Sequence, residues 1–328
     1  VSDACIRVER LSKTFTTYKR GSGLGQAVKS FFKRERVLVE AVKDVSFTVP
    51  RGQIIGILGP NGAGKSTTIK MLTGTLLPSA GEIEVLGFSP HKNRARYVAH
   101  IGAVFGQKSQ LIWDIPPGDS FRMNKAIYGV SDADFSARLK LMTELFELGD
   151  VVNKPTRVLS LGERMKCEFI MAMLHGPEVV FLDEPTIGLD VIAKQRIRSF
   201  IADMNARGTT FVLTTHDLED VERLAREVII INHGTKVFDG SLRDLKHSLG
   251  KKKIIQVKLA KPCPRLSVPG TSVVRRDSEL ELTLEADVAQ SPVNTIIHEL
   301  SSQAEFQDIS IKELPMETII TKIYKGDL

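Results

Sequence analysis

Ile54-Ile55-Gly56-Ile57-Leu58-Gly59-Pro60-Asn61-Gly62-Ala63-Gly64-Lys65-Ser66-Thr67 decides how this 328-residue chain is read. Five residues without a polar side chain end in a glycine-rich turn, and a helical stretch follows from Thr67 to Leu72. An apolar run without polar alternation predicts a strand covered on both faces, as in a parallel sheet. The turn matches G-x-x-x-x-G-K-[ST] in the strand-before, helix-after context that gives this motif its meaning. A chance match in a chain of this length comes out at about one in a hundred when glycine is about 7% of residues. Gly62 and Gly64 let the backbone wrap so that its N–H groups face phosphates, and the helix N-terminus adds positive dipole. Lys65 supplies charge for the β- and γ-phosphates and Ser66 a ligand for Mg²⁺, which implies a nucleoside triphosphate site.

Working outward, Val179-Val180-Phe181-Leu182 is a second apolar run, and it delivers Asp183 and Glu184 to its C-terminal end. That is the edge at which open parallel sheets bind ligands. Asp183 can hold Mg²⁺ through water, and Glu184 can polarise an attacking water. Thr210 to Thr214 and Glu227 to Ile231 predict two more strands, and Ile6 to Val8 and Val45 to Val49 two short ones. From about 108 to 175 the pattern turns helical, with Leu139, Met142, Leu145 and Phe146 at three- and four-residue spacing. The expected fold is therefore an α/β P-loop core over residues 1–250 with an inserted helical subdomain. Past Gly250 come Lys251-Lys252-Lys253, read as a solvated linker, then alternating strands, a Pro-rich connection, a helix with Ile296 and Leu300, and a last helix after Pro315. Residues 251–328 are expected to form a small α+β domain.

Composition narrows the class. Apolar residues are 42% and charged residues 26%, ordinary for a globular chain, and no apolar run approaches the roughly 18 residues of a spanning helix. The N-terminus has no secretory pattern, so a cytosolic location is expected, on the inner face of a membrane if partners sit there. Cys5, Cys167 and Cys263 lack metal-site or disulfide spacing and read as reduced thiols. The net charge of +6 is concentrated in the insertion 18–40, where Lys19, Arg20, Lys29, Lys33, Arg34 and Arg36 face Glu35 and Glu40. Leu24, Val28 and Phe31 recur there at helical spacing, predicting a short basic amphipathic helix that packs on its own domain or meets a membrane partner or anionic lipid. With 6% aromatics and one Trp, no nucleic-acid face is expected.

Leu159-Ser160-Leu161-Gly162-Glu163-Arg164, 24 residues before Asp183, resembles the LSGGQ signature of ABC ATPases. Gln107 is similar to the Q-loop glutamine, Gly188-Leu189-Asp190 to the D-loop, and His216, 32 residues beyond Glu184, to the switch histidine. The resemblance covers about residues 3 to 245. The loop, the DEPTIGLD run and the small C-terminal domain are most similar to ATPase subunits of type-2 exporters, with viologen-exporter-like subunits the nearest suggestion. This resemblance implies ATP with Mg²⁺ held by Ser66, Gln107 and Asp183. Glu184, His216, Gln107 and Lys65 would act in hydrolysis, and Gly59, Pro60, Asn61, Gly62, Ala63, Gly64, Lys65, Ser66 and Thr67 would cradle the phosphates. It also implies a head-to-tail pair with a second copy or related ATPase subunit, in which Ser160 and Gly162 meet the partner's nucleotide. Integral membrane permease subunits would be the further partners. Phe15 matches the adenine-stacking aromatic, with Tyr18 a rival and core packing a third option. Leu161 and Glu163 depart from the commonest signature. A soluble ABC-type ATPase acting on nucleic acid or ribosomes is the alternative function; a simple P-loop kinase or GTPase leaves LSLGE and His216 without a role.

Overall fold

The computed structural model describes residues 4–18, 36–106, 108–248, 252–263 and 266–325. The predicted basic helix and Gln107 lie outside the described residues. The chain divides into two compact units, Val1–Gly240 and Ser241–Leu328, ten residues ahead of the change in composition at Gly250.

The first unit is built on a six-stranded sheet. In chain order its strands are β3 (Ile54–Leu58), β5 (Ile101–Phe105), β6 (Val179–Asp183), β7 (Thr210–Thr214), β8 (Glu227–Asn232) and β9 (Thr235–Ser241). Their order across the sheet is β5-β6-β7-β3-β8-β9, and the four pairings from β5 to β8 are parallel. Every residue of β3 and β7 is buried, as the unbroken apolar runs predicted. The helices α1 (Lys65–Leu72), α4 (Leu161–Met173) and α5 (Val191–Ala206) pack on these strands. A second, antiparallel sheet sets β1 (Ala4–Tyr18) between β2 (Arg36–Pro50) and β4 (Ala80–Val85). The two sheets share one core in which Ile6, Val45, Ile57, Ile69 and Val85 are fully enclosed. Each such side chain contributes roughly 1.5–3 kcal/mol of burial.

The predicted helical block contains α2 (Pro117–Tyr128), α3 (Asp132–Leu145) and the already named α4. Ser131 starts α3 by accepting the Asp134 N–H. Asp190 does the same for α5 with the Ala193 N–H, and Asp217 for α6 (Leu218–Leu224) with the Glu219 N–H. In each case a short polar side chain satisfies a backbone donor that the helix leaves unpaired.

The second unit holds α7 (Leu242–Ser248), α8 (Val293–Gln303), α9 (Met316–Lys325) and a four-stranded antiparallel sheet. Its strands are β10 (Lys252–Leu259), β11 (Thr271–Arg276), β12 (Glu281–Asp287) and β13 (Phe306–Glu313), in the order β11-β12-β10-β13. Ile255, Val257, Leu259, Leu282 and Leu284 close on Ile296 and Leu300 of α8. Lys252 and Lys253 are not a linker: they open β10, because Glu285 and Glu313 on the flanking strands supply their counter-charges. No helix among the described residues is long and apolar enough to cross a membrane.

Candidate functional site

The turn after β3 is shaped by close backbone approaches. A Cβ on Gly59 would stand 2.3 Å from the Ile231 carbonyl oxygen, and one on Gly64 2.4 Å from that of Ala41. Gly64 also has φ +108, a region that side chains resist. Neither position admits a side chain without moving backbone. The Gly234 N–H donates to the Ala63 carbonyl at 3.1 Å, and the Lys43 N–H to that of Gly234 at 2.7 Å. Thus β2 and the β8–β9 turn brace the loop from outside. Pro60, Asn61 and Gly62 form its rim, with Asn61 and Gly62 exposed; Thr67 sits in the first turn of α1.

Lys65 is buried, and its ammonium donates to the carbonyls of Gly59 at 2.6 Å and Pro60 at 3.1 Å. Burial lowers its pKa, while Glu184 and Asp183 pull in the other direction. Ser66 Oγ donates to Asp183 Oδ1 at 2.8 Å, and Thr214 Oγ1 donates to the same oxygen at 2.7 Å. Two hard oxygens, one on the loop helix and one on β6, therefore stand side by side, the donor set that suits Mg²⁺ completed by phosphate and water oxygens.

Glu184 follows at φ 52, a left-handed conformation uncommon for its residue type. It is held there from two sides. Its N–H donates to the Thr214 carbonyl at 3.0 Å and is 3.2 Å from Thr214 Oγ1. Gly106 lies so close that a Cβ there would be 2.4 Å from the Glu184 carbonyl oxygen. His216 Nδ1 stands 3.6 Å from Glu184 Oε1, and the imidazole is more than half exposed. Lys65, Ser66, Asp183, Glu184 and His216 thus share the C-terminal edge of the parallel sheet.

Ser160 and Gly162 lie on another element, the start of α4. Ser160 Oγ accepts the Glu163 N–H at 3.2 Å and donates to Glu163 Oε2, which also takes the Ser160 N–H; both latter distances are 2.9 Å. These hydrogen bonds from Ser160 hold the Glu163 carboxyl below its ordinary range. Leu161 packs 3.3 Å from where a Cβ on Gly188 would lie, and a Cβ on Gly162 would be 3.2 Å from Ala193 Cβ. The signature turn therefore rests on the residues around Asp190 of the same chain. Phe15, half-buried on β1, pairs in register with Val39, two residues from Ala41, whose carbonyl touches Gly64.

Residues 42–187 match the ABC transporter family. The chain is 33% identical over 217 residues to the ABC transporter ATP-binding protein NatA of Bacillus subtilis, spanning 66% of this chain and 88% of that protein. The chain belongs to the ATP-binding subunits of ABC transporters. It is also 34% identical over 239 residues to Nod factor export ATP-binding protein I of Ralstonia nicotianae, with 70% and 73% covered. A solved structure described as an ATP-binding subunit of an ABC transporter superposes with a TM-score of 0.62 at 26% identity, covering 75% of this chain and 93% of that one.

Within this ABC ATPase, three supports escaped the sequence reading. Thr214 was visible only as the end of a strand; its hydroxyl's role depends on β6 and β7 lying side by side. Gly106 follows an apolar strand in an unremarkable way, and its need to be glycine comes from a backbone 78 positions away. Ser160 and Glu163 did carry a signal, since S-x-x-E ahead of a helix is the capping-box pattern, and both of its reciprocal bonds are present.

Proposed function

We propose that this ABC ATPase hydrolyses ATP at the Lys65–Ser66–Asp183–Glu184–His216 edge and so powers export through membrane subunits carried by other polypeptides. The observation that carries the reading is the convergence of Ser66 and Asp183 at 2.8 Å, with Glu184 and His216 3.6 Å apart at the next residue of the strand end. Residues Gly59 to Thr67 offer backbone N–H groups to the phosphates, and Lys65 turns its ammonium from the loop carbonyls toward the β- and γ-oxygens. Ser66 and Asp183, with Gln107, would hold Mg²⁺, which supplies charge neutralisation between the β- and γ-phosphates. Glu184 orients the attacking water and accepts its proton, and His216 hydrogen-bonds the γ-phosphate while facing Glu184. Phe15 stacks on adenine.

Ser160 and Gly162 point the N-terminus of α4 at the γ-phosphate bound by a second subunit, which makes the working unit a head-to-tail dimer. Glu163 leaves that end less positive than a neutral side chain would, since its carboxylate already answers the helix dipole. Export, rather than uptake, is supported by the relative whose name is Nod factor export ATP-binding protein.

The test is ATP turnover beside nucleotide affinity. Glu184→Gln keeps the shape and loses the base, so affinity should stay near wild type while turnover falls at least about a hundredfold. Near-normal turnover removes Glu184 from hydrolysis. For the transport role, gentle solubilisation should recover integral membrane proteins with this chain; recovery of RNA or DNA in their place would overturn it.

A further inference from the structure

Asp220, on α6, is 1% exposed and belongs to none of the motifs discussed so far. Its Oδ2 accepts two hydroxyls, from Thr186 and, at 3.3 Å, from Thr215, while Arg198 Nε donates to its Oδ1 at 2.6 Å. The threonines come from different loops. Thr186 stands two residues beyond Glu184, in the turn where the Leu189 N–H donates to the Thr186 carbonyl at 3.3 Å. Thr215 directly precedes His216, and its Oγ1 also accepts the Asp217 N–H at 2.9 Å. One carboxylate oxygen therefore ties together the two segments that present Glu184 and His216.

A buried carboxylate is costly unless paired and fully hydrogen-bonded. Arg198, itself buried on α5, supplies the charge, and its guanidinium also reaches Glu219 at 3.2 Å and Asp217 at 3.8 Å. Asp217 in turn takes Lys194 Nζ at 2.5 Å. Both tied segments need such an anchor. Glu184 sits in a left-handed backbone conformation, held on one side by Thr214 and Gly106 and followed on the other by the turn containing Thr186. His216 projects an exposed ring, so the anchoring of its backbone sets where the imidazole lies.

We infer that Asp220 is a positioning residue that sets the separation between the Glu184 carboxylate and the His216 imidazole, and thereby kcat, without touching the nucleotide. The inference rests on the reading of Glu184 and His216 as the hydrolytic pair. Asp220→Asn preserves size but places an amide donor where an oxygen faced either Arg198 or the two hydroxyls. In the full chain with saturating Mg·ATP, kcat should fall about tenfold or more while the KM for ATP stays within about threefold, because small misplacements of catalytic groups are paid in rate. Thr186→Val and Thr215→Val each cut one tie; each should lower kcat by a smaller factor and add little in the Asp220→Asn background.

Glu184→Gln is measured in parallel. If it turns over like wild type, the underlying reading of the site has failed. If it is inactive while Asp220→Asn keeps wild-type kcat, the positioning role alone is overturned. Should Asp220→Asn not fold, wild-type kcat in both valine variants would overturn it equally. A loss of ATP affinity matching the loss of rate in all variants would also overturn it, since that marks general damage to the fold.

Discussion

The six-stranded sheet of the first unit and the four-stranded sheet of the second are built from similar apolar residues, yet among the described residues it is the first that gathers the candidate catalytic groups at one edge. In the parallel sheet every strand from β5 to β8 ends at the same edge, so the residues just past β3, β6 and β7 are brought together however far apart they lie in sequence. In the antiparallel sheet successive strands end at opposite edges, and polar residues alternate with Ile255, Val257, Leu282 and Leu284 along each strand. Its charges pair with one another: Lys252 and Lys322 with Glu285, Lys253 with Glu313. In the first unit Lys65, Asp183 and Glu184 gather at one edge beside pairs such as Arg198–Asp220 that hold the fold, whereas the pairs of the second unit join neighbouring elements of its own sheet and helix.

The largest contrast should come from glycine. Gly64→Ala forces a Cβ into the Ala41 carbonyl at φ +108, where only backbone can yield. ATP affinity should fall at least about a hundredfold, since the loop's N–H groups all shift. Gly270→Ala in the second unit also starts from positive φ, and its Cβ would stand 2.8 Å from both Cβ and Oγ of Ser291; rotation clears the hydroxyl but not the Cβ, so that turn must give locally. It should cost about 1–3 kcal/mol of stability with ATP affinity unchanged. Equal effects of the two substitutions on nucleotide binding would break the contrast.

Core truncation sharpens it. Leu284 is 1% exposed within the cluster over α8, and Leu284→Ala should destabilise the second unit by about 2–5 kcal/mol. Thermal unfolding followed with and without ATP should show an early transition that ATP does not shift. An ATP-dependent shift of that transition would mean that the second unit answers to nucleotide.

The same contrast decides what was legible in sequence. The P-loop, Asp183, Glu184 and His216 were readable because each sits at the end of an unbroken apolar run, and a parallel strand leaves its chemistry at its terminus. The long β1–β2 pairing was readable only at the end where Ile6 to Val8 meets Val45 to Val49. At its other end Thr14 to Tyr18 pairs with Arg36 to Glu40, where Thr14, Thr16 and Thr17 give no apolar pattern on β1, Leu38 and Val39 are exposed, and register shifts between Val8 and Thr14 break the period. Thr214 and Gly106 act on Glu184 from 30 and 78 positions away, and Asp220 ties Thr215, five positions before it, to Thr186, 34 before it, so their roles exist only once strand order is known. Lys252 and Lys253 misled because charge suggests a linker until the strand bearing Glu285 is placed beside them.

The smallest effect tests whether the second unit's charges do serve its fold. The Glu285 carboxyl is opposed by burial yet held below its ordinary range by hydrogen bonds from Lys252 at 2.7 Å and Lys322 at 2.9 Å. A carboxyl with a depressed folded pKa contributes stability above its unfolded value, about 4.3, and loses it as pH falls through the folded value. Lys252 has the opposite sign: its hydrogen bond with Glu285 raises its pKa, so its share is complete below about 10.4 and fades as pH rises beyond that. Lys322→Met should therefore destabilise the second unit near neutral pH by about 0.5–1 kcal/mol, the scale of a partly exposed pair. The gap between variant and wild type should close as the solution is acidified below about pH 4. It should also narrow in high salt, because both partners keep some exposure to solvent. A gap that stays constant from pH 7 to pH 3 would show that the loss does not come from the pairing of Lys322 with Glu285, and would leave Lys252 as the cation that Glu285 answers.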